Sequence, residues 1–331
     1  MDERCPRRAT SQTQSQQVSE NNAPNVDVGS IREEAREPQA LSRHARRLRV
    51  LGAILSTACL AGAIVVALRE RSAMSAALDS LRAASASEIA LLLASVAIGI
   101  VLTSMLFLIL VRRYANVAWH EMLALIAATS LANMLPLKPG FVARVAWHRA
   151  RHGIRARDSL RTILEAIGLS ALVAGAMLGA VVLLRATSMP LSFALLAPAL
   201  FGIAGITRRW RTFAQAVLVR NAEFALAVLR YQVALSLVGA EASLETSIVL
   251  TCASAVATLV PFVSNGLGVR EWVTALLLPA LSGGTFAAGV AAELVLRAAE
   301  LAITLPAGLY ASAWLVRVAR VTPTKTTSAS A

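Results

Sequence analysis

The chain has 331 residues, 56% of them hydrophobic and only 15% charged, with a mean hydropathy of +0.63. That balance excludes an ordinary water-soluble domain, so a bilayer must supply much of the solvent. The formal charge of +13 sits between apolar runs and is not interleaved with aromatics for base stacking, so it fits anionic head groups and no nucleic-acid partner is expected.

Residues 1–42 include SQTQSQQVSENNAPN, a stretch too polar to offset its ordering entropy, and are expected to form a disordered cytoplasmic tail. The first apolar run, 50–68, is long enough to remain in the membrane rather than be cleaved as a signal peptide. Arg43, Arg46, Arg47 and Arg49 directly precede it and place the amino terminus in the cytoplasm. A loop at 69–88 balances its arginines with Glu70, Asp79 and Glu88. Residues 89–111 then form an uncharged run of 23 that ends at Arg112 and Arg113.

The next apolar segment, 122–137, is interrupted by Asn133, Pro136, Lys138, Pro139 and Gly140, and is followed by the most basic stretch, 144–161. Basic flanks on both sides predict a reentrant hairpin, whose irregular backbone must line something polar. The alternative is an interfacial helix ending at a proline turn. Spans are predicted at 162–184, 189–206 and 220–240. A second interrupted stretch, 246–269, is broken at Pro261, Asn265, Gly266 and Gly268. After Arg270 and Glu271 an apolar run reaches the Gly283-Gly284 break, and a last span brings Arg317, Arg320 and Lys325 to the cytoplasm. Residues 319–331 are left as a short tail.

The breaks read PLKPGFVAR at 136–144 and PFVSNGLGVR at 261–270, each followed some twenty residues on by a glutamate in an apolar stretch, Glu165 or Glu293. Similar Gly/Pro interruptions in oppositely oriented halves point to a substrate site near the bilayer midplane. Helix breaks free amides that attract anions, and Arg144 and Arg270 supply forked guanidinium groups suited to phosphate. Taken singly, each is equally readable as a snorkelling arginine at a helix end. Glu293, Arg297 and Glu300 fall on one helical face, and Glu293 with Arg297 is the expected ion pair, because neither charge is cheap alone in hydrocarbon. Arg220, Glu223 and Arg230 form a similar set, although the first two could simply mark a span end.

Three scattered cysteines, Cys5, Cys59 and Cys252, provide neither a disulfide framework nor a zinc site. His148 and His152 share a helix face, but the surrounding arginines would repel a metal cation. His120-Glu121 begins like a zincin motif and fails at Ala124. No span carries an acidic metal cluster or a histidine dyad, so no catalytic constellation, metal or cofactor is expected.

Over roughly residues 45–318 the two proline-glycine elements resemble the lysylphosphatidylglycerol synthase transmembrane, or flippase-like, family. Asn133, Pro136, Gly140, Arg144 and Glu165 match its first element, with Phe141 where the family has glutamate and Ala166 where it has arginine. Pro261, Gly266, Gly268 and Glu271 match the second, followed by Arg297. The resemblance implies a membrane domain at 43–318 in the bacterial inner membrane, moving an anionic phospholipid or lipid-linked head group between leaflets. The soluble aminoacyl-transfer domain of the bifunctional synthases has no room here, so no synthase activity is expected. The fold expected is all-α: a polytopic membrane helix bundle of about six spans with two reentrant hairpins in an inverted repeat. Two rivals stay open. One is a non-transporting scaffold with an envelope-synthesis partner or a second copy of the chain, and the other a membrane-embedded lipid-modifying enzyme.

Overall fold

A computed structural model describes residues 50–51, 54, 57–135, 138–204, 211–258 and 264–321. Their regular structure is entirely helical, as the long apolar runs and the absence of two-residue alternation require. The order is α1 (Thr57–Arg69), α2 (Arg71–Arg82), α3 (Ala86–Val111), α4 (Trp119–Ala132), α5 (Pro139–His152), α6 (Ala156–Thr187), α7 (Phe193–Ala204), α8 (Arg211–Leu237), α9 (Leu244–Thr258), α10 (Val269–Ser282) and α11 (Phe286–Val321). A short 3₁₀ turn, Ser264–Gly266, precedes α10.

Among the described residues α3, α6 and α8 are long and apolar enough to cross a membrane. Helix α3 begins with a capping box in which Ser85 and Glu88 bond each other's backbone amides. Helix α11 has 36 residues, ample in length, but Glu293, Arg297 and Glu300 interrupt its apolar character. By contrast α4, α5, α9 and α10 have 14, 14, 15 and 14 residues. At 1.5 Å per residue these reach only about 21–23 Å, short of a hydrocarbon core of about 30 Å. In α4–α5–α6 and α9–α10–α11 two short helices precede a long one, an order that α1–α2–α3 also has by the bounds given.

Several expected boundaries move. The loop expected at 69–88 is largely helical, since alanine-rich α2 has nothing to break it and packs Ala77 into the core. The span expected at 220–240 starts at Arg211, which places Arg220, Glu223 and Arg230 inside α8 and not at its end. Helix α6 starts at Ala156 and α11 runs to Val321, into the expected tail. The expected amino-terminal tail, Arg43 to Arg49, Pro136, Pro261 and Lys325 lie outside the described residues.

Helix α11 packs along α4, α10, α3 and α8, and α3 lies along α8. The apolar core forms separate clusters at the two ends of α3. Leu92 and Val96 join one with Leu235 and Leu278, while Leu106 and Leu110 join another with Ile126 and Ile163. Between these layers, at mid-length of α3 and α8, the bundle holds a half-open cavity whose wall mixes charged and apolar side chains.

Candidate functional site

Each short-helix pair meets at a tight break. At the first, Lys138 adopts a left-handed conformation (φ 47°) as N-cap of α5, and Pro139 occupies the first helical position, where its missing amide costs nothing. Gly140 lies so close to α4 that a Cβ there would stand 2.1 Å from the Thr129 carbonyl oxygen and 2.5 Å from Asn133 Oδ1. At the second, Asn265, Gly266 and Gly268 all have positive φ (42°, 74° and 83°), a run that requires glycine or asparagine. The breaks touch, because Lys138 Nζ donates to the Thr258 carbonyl at the end of α9.

The cavity at this junction has a volume of about 520 Å³, and a second, of about 240 Å³, shares much of its wall. Helix α8 contributes Arg220, Glu223, Phe224, Ala227, Arg230 and Tyr231, spaced so that one face of the helix lines it. Five cationic side chains reach the larger wall, Lys138, Arg144, Arg220, Arg230 and Arg270, against only two carboxylates, Glu223 and Glu300.

The cations fall into two kinds. Arg220 Nη1 donates to Glu223 at 2.7 Å and Nη2 to the Ala166 carbonyl at 3.1 Å, while Thr103 Oγ1 donates to the other Glu223 oxygen at 2.9 Å. Arg270 bridges Glu293 and Glu300, each at 3.1 Å. Glu293 also accepts from Tyr231 and, at 2.7 Å, from Thr274. Arg297 donates to the Asn265 carbonyl at 2.7 Å and lies 3.4 Å from Glu271 and 3.5 Å from Glu300. The expected Glu293–Arg297 pair is therefore crossed: Arg270 of the second break takes Glu293, and Arg297 bonds the backbone of that break. One helical turn separates the two on α11, but the short α10 inserts both Arg270 and Glu271 between them.

Arg144 differs. Only 2% exposed, it has no carboxylate partner among the described residues. Nη2 donates to Thr129 Oγ1 at 3.0 Å and the guanidinium lies 4.0 Å over the Phe107 ring, but Nε and Nη1 are buried with no hydrogen-bond partner. Lys138 likewise bonds only a carbonyl, and Arg230 feels the field of Glu300 but its Nε is buried without a partner. A buried guanidinium with idle donors costs free energy unless an acceptor arrives.

Of the residues expected at the site, Asn133, Arg144, Asn265 and Arg270 line the cavity, while Gly140, Gly266 and Gly268 shape its breaks. Glu271, Glu293 and Arg297 stand just behind the wall. Glu165 is not brought there: it pairs with Arg113 and, at 3.1 Å, with Arg161. Lys138, Arg220, Glu223 and Arg230 were underweighted by sequence reasoning, although the period along α8 contained the signal. Phe141 and Ala166, which stand where the resembled family has charges, both line this cavity.

Outside it, His148 is fully buried and 2.9 Å from Ser159 Oγ, and His152 and Trp147 both bond Glu121 at 2.9 Å. His120 packs edge-on against Trp314.

No family model matches the chain, and neither does any curated protein or solved structure.

Proposed function

We propose that this chain is a flippase-like transporter that carries a phospholipid or lipid-linked anionic head group between the leaflets of the bacterial inner membrane. The observation that carries this reading is Arg144, a buried guanidinium with two idle donors and no acid partner, on the wall of an electropositive cavity between apolar layers. A phosphate in the cavity would accept from Nε and Nη1 once the Arg144 side chain turns to present them, because both atoms are buried in the wall.

The topology proposed has both termini in the cytoplasm, with α4–α5 and α9–α10 as reentrant pairs entering from opposite sides. Support comes from their short lengths, the basic ends of α5 and α11, and the left-handed turns that begin both α5 and α10. In this arrangement Lys138 bridges the two repeats, and the second break is tied to α11 by Arg270, through Glu293 and Glu300, and by Arg297, through Glu271 and the Asn265 carbonyl. Motion of one repeat past the other would expose the cavity to each leaflet in turn. The resemblance to the flippase-like family agrees with this reading and rests on the break motifs.

The test is reconstitution. Purified protein in vesicles should render a fluorescent anionic phospholipid accessible to a membrane-impermeant quencher faster than in protein-free vesicles, and Arg144→Gln should remove the gain. If the wild-type protein moves no lipid under any gradient while complexes with envelope-synthesis enzymes are isolated readily, the scaffold reading replaces transport.

A further inference from the structure

The balance of charge around the cavity is informative beyond its sign. Among the described residues six cationic side chains surround it or stand directly behind the wall: Lys138, Arg144, Arg220, Arg230, Arg270 and Arg297. Four carboxylates answer them, Glu223, Glu271, Glu293 and Glu300, which leaves an excess of two positive charges. The carboxylates are not spread evenly. Glu223 is held by Arg220, and Glu271, Glu293 and Glu300 are held by Arg270 and Arg297. Lys138 and Arg144 of the α5 break and Arg230 of α8 bond no carboxylate, while the three acids held by Arg270 and Arg297 leave one negative charge, on Glu300, that faces Arg230, so the net excess is two.

Two features keep this excess from being neutralised internally. Phe141, one turn before Arg144, lines the cavity with a phenyl ring, so α5 offers Arg144 no acid at i−3. On α8 the acid Glu223 already accepts from Arg220 and Thr103, so Arg230 seven residues further on has no acid of its own helix and feels only the field of Glu300, which Arg270 and Arg297 already hold. Water cannot screen such charges as it would at a surface, so the cavity favours a ligand whose charge matches the excess.

From this we infer that the cavity selects a phosphate head group with two or more negative charges, a lipid phosphomonoester or terminal diphosphate, over a phosphodiester with one charge or an aminoacylated head group with none or a positive one. Arg144 and Arg230 are the residues that distinguish the charge states, each offering donors to oxygens that a phosphodiester does not present as charged groups. The inference rests on the proposed reading of the cavity as a lipid head-group site.

The test uses the full-length purified protein at pH 8, where a phosphomonoester is doubly charged. Thermal-shift titrations would compare short-chain phosphatidate, a prenyl diphosphate, phosphatidylglycerol, lysylphosphatidylglycerol, inorganic phosphate and pyrophosphate. Phosphatidate and the prenyl diphosphate should bind about tenfold or more tightly than phosphatidylglycerol, with lysylphosphatidylglycerol weakest. Arg230→Gln should shrink the preference to about twofold, and Arg230→Lys, which keeps the positive charge facing Glu300, should retain most of it with a nearly unchanged unliganded melting temperature. Equal binding of phosphatidate and phosphatidylglycerol would overturn the charge selection while leaving lipid transport standing. Binding of no lipid at all would overturn both. Inorganic pyrophosphate binding as tightly as the lipids, with the same dependence on Arg230, would assign the site to a soluble anion and overturn its assignment to lipid.

Discussion

Arg144 and Arg270 occupy similar places in the two break motifs, but the structure predicts that replacing them has opposite effects on stability. Arg270 is buried between Glu293 and Glu300 at 3.1 Å from each, and Glu293 is fully buried. Arg270→Gln leaves the fully buried Glu293 without a cation, while Glu300 keeps Arg297 at 3.5 Å, and breaking a buried ion pair by removing one partner costs about 3–5 kcal/mol. At roughly 2–4 °C per kcal/mol for a domain of this size, the melting temperature should fall by about 10 °C. Arg144 offers one hydrogen bond, worth about 1.5–3 kcal/mol when a charge is involved, and one ring contact, worth about 0.5–2 kcal/mol. Against these stand the burial of the guanidinium, several kcal/mol, and two idle donors at about 1–3 kcal/mol each. The sum is zero or unfavourable, so Arg144→Gln should leave the empty protein as stable as wild type or more so while abolishing anion binding. Thermal unfolding in one detergent, with and without a phosphorylated lipid, measures both. An Arg144→Gln variant that melts as low as Arg270→Gln would show that Arg144 is structural, and the anion site would lose its basis.

Gly140→Ala should destabilise by about 1–3 kcal/mol and weaken anion binding, since the added methyl meets the Thr129 carbonyl at 2.1 Å and pushes α5 away from α4; thermal unfolding beside Gly175→Ala, where the Cβ meets nothing, supplies the contrast, because that exposed helical site should gain about 0.5–1 kcal/mol. A cysteine at position 151, in a variant lacking Cys5, Cys59 and Cys252, should be labelled by an impermeant reagent only from the cytoplasmic side, and labelling only from the periplasm would break the proposed inverted repeat. Burial, together with the charges of Arg144 and His152, pushes the His148 imidazole down to about 4. Because the folded state holds this group neutral, its contribution is complete above the ordinary value near 6.5 and is lost as pH falls from there toward about 4. Denaturation curves should show that acid-side loss, and His148→Gln should flatten it.

Much of the architecture is legible in the chain. Long uncharged runs specify α3 and α6, and the clustered proline, glycine and asparagine at 133–140 and 265–268 mark both breaks, because left-handed turns and close helix approach admit few other residues. The partners are less legible. Pairing Glu293 with Arg297 follows from helical spacing alone, but Arg270 and Glu271 come from an element distant in sequence and outcompete the local contact. Charge in an apolar span likewise marks Arg220, Glu223 and Arg230 as important without showing that they face the breaks, which depends on how α8 packs on α3 and α11. Glu165 illustrates the reverse, since its position after the first break matches that of Glu293 after the second, but α6 turns it toward Arg113.

Photocrosslinking tests most directly whether a lipid head group enters the cavity. A phospholipid with a phosphomonoester head and a diazirine beside it would be activated in vesicles containing the wild-type protein, and the labelled peptides mapped. Label should fall on α5 near Arg144 and on α8 between Arg220 and Tyr231, and should disappear from both in Arg144→Gln. Label confined to the outward faces of α3 and α6, where Ile98, Val101, Leu164 and Leu172 are exposed, and unchanged in Arg144→Gln, would mean that lipid only surrounds the bundle and never occupies its interior.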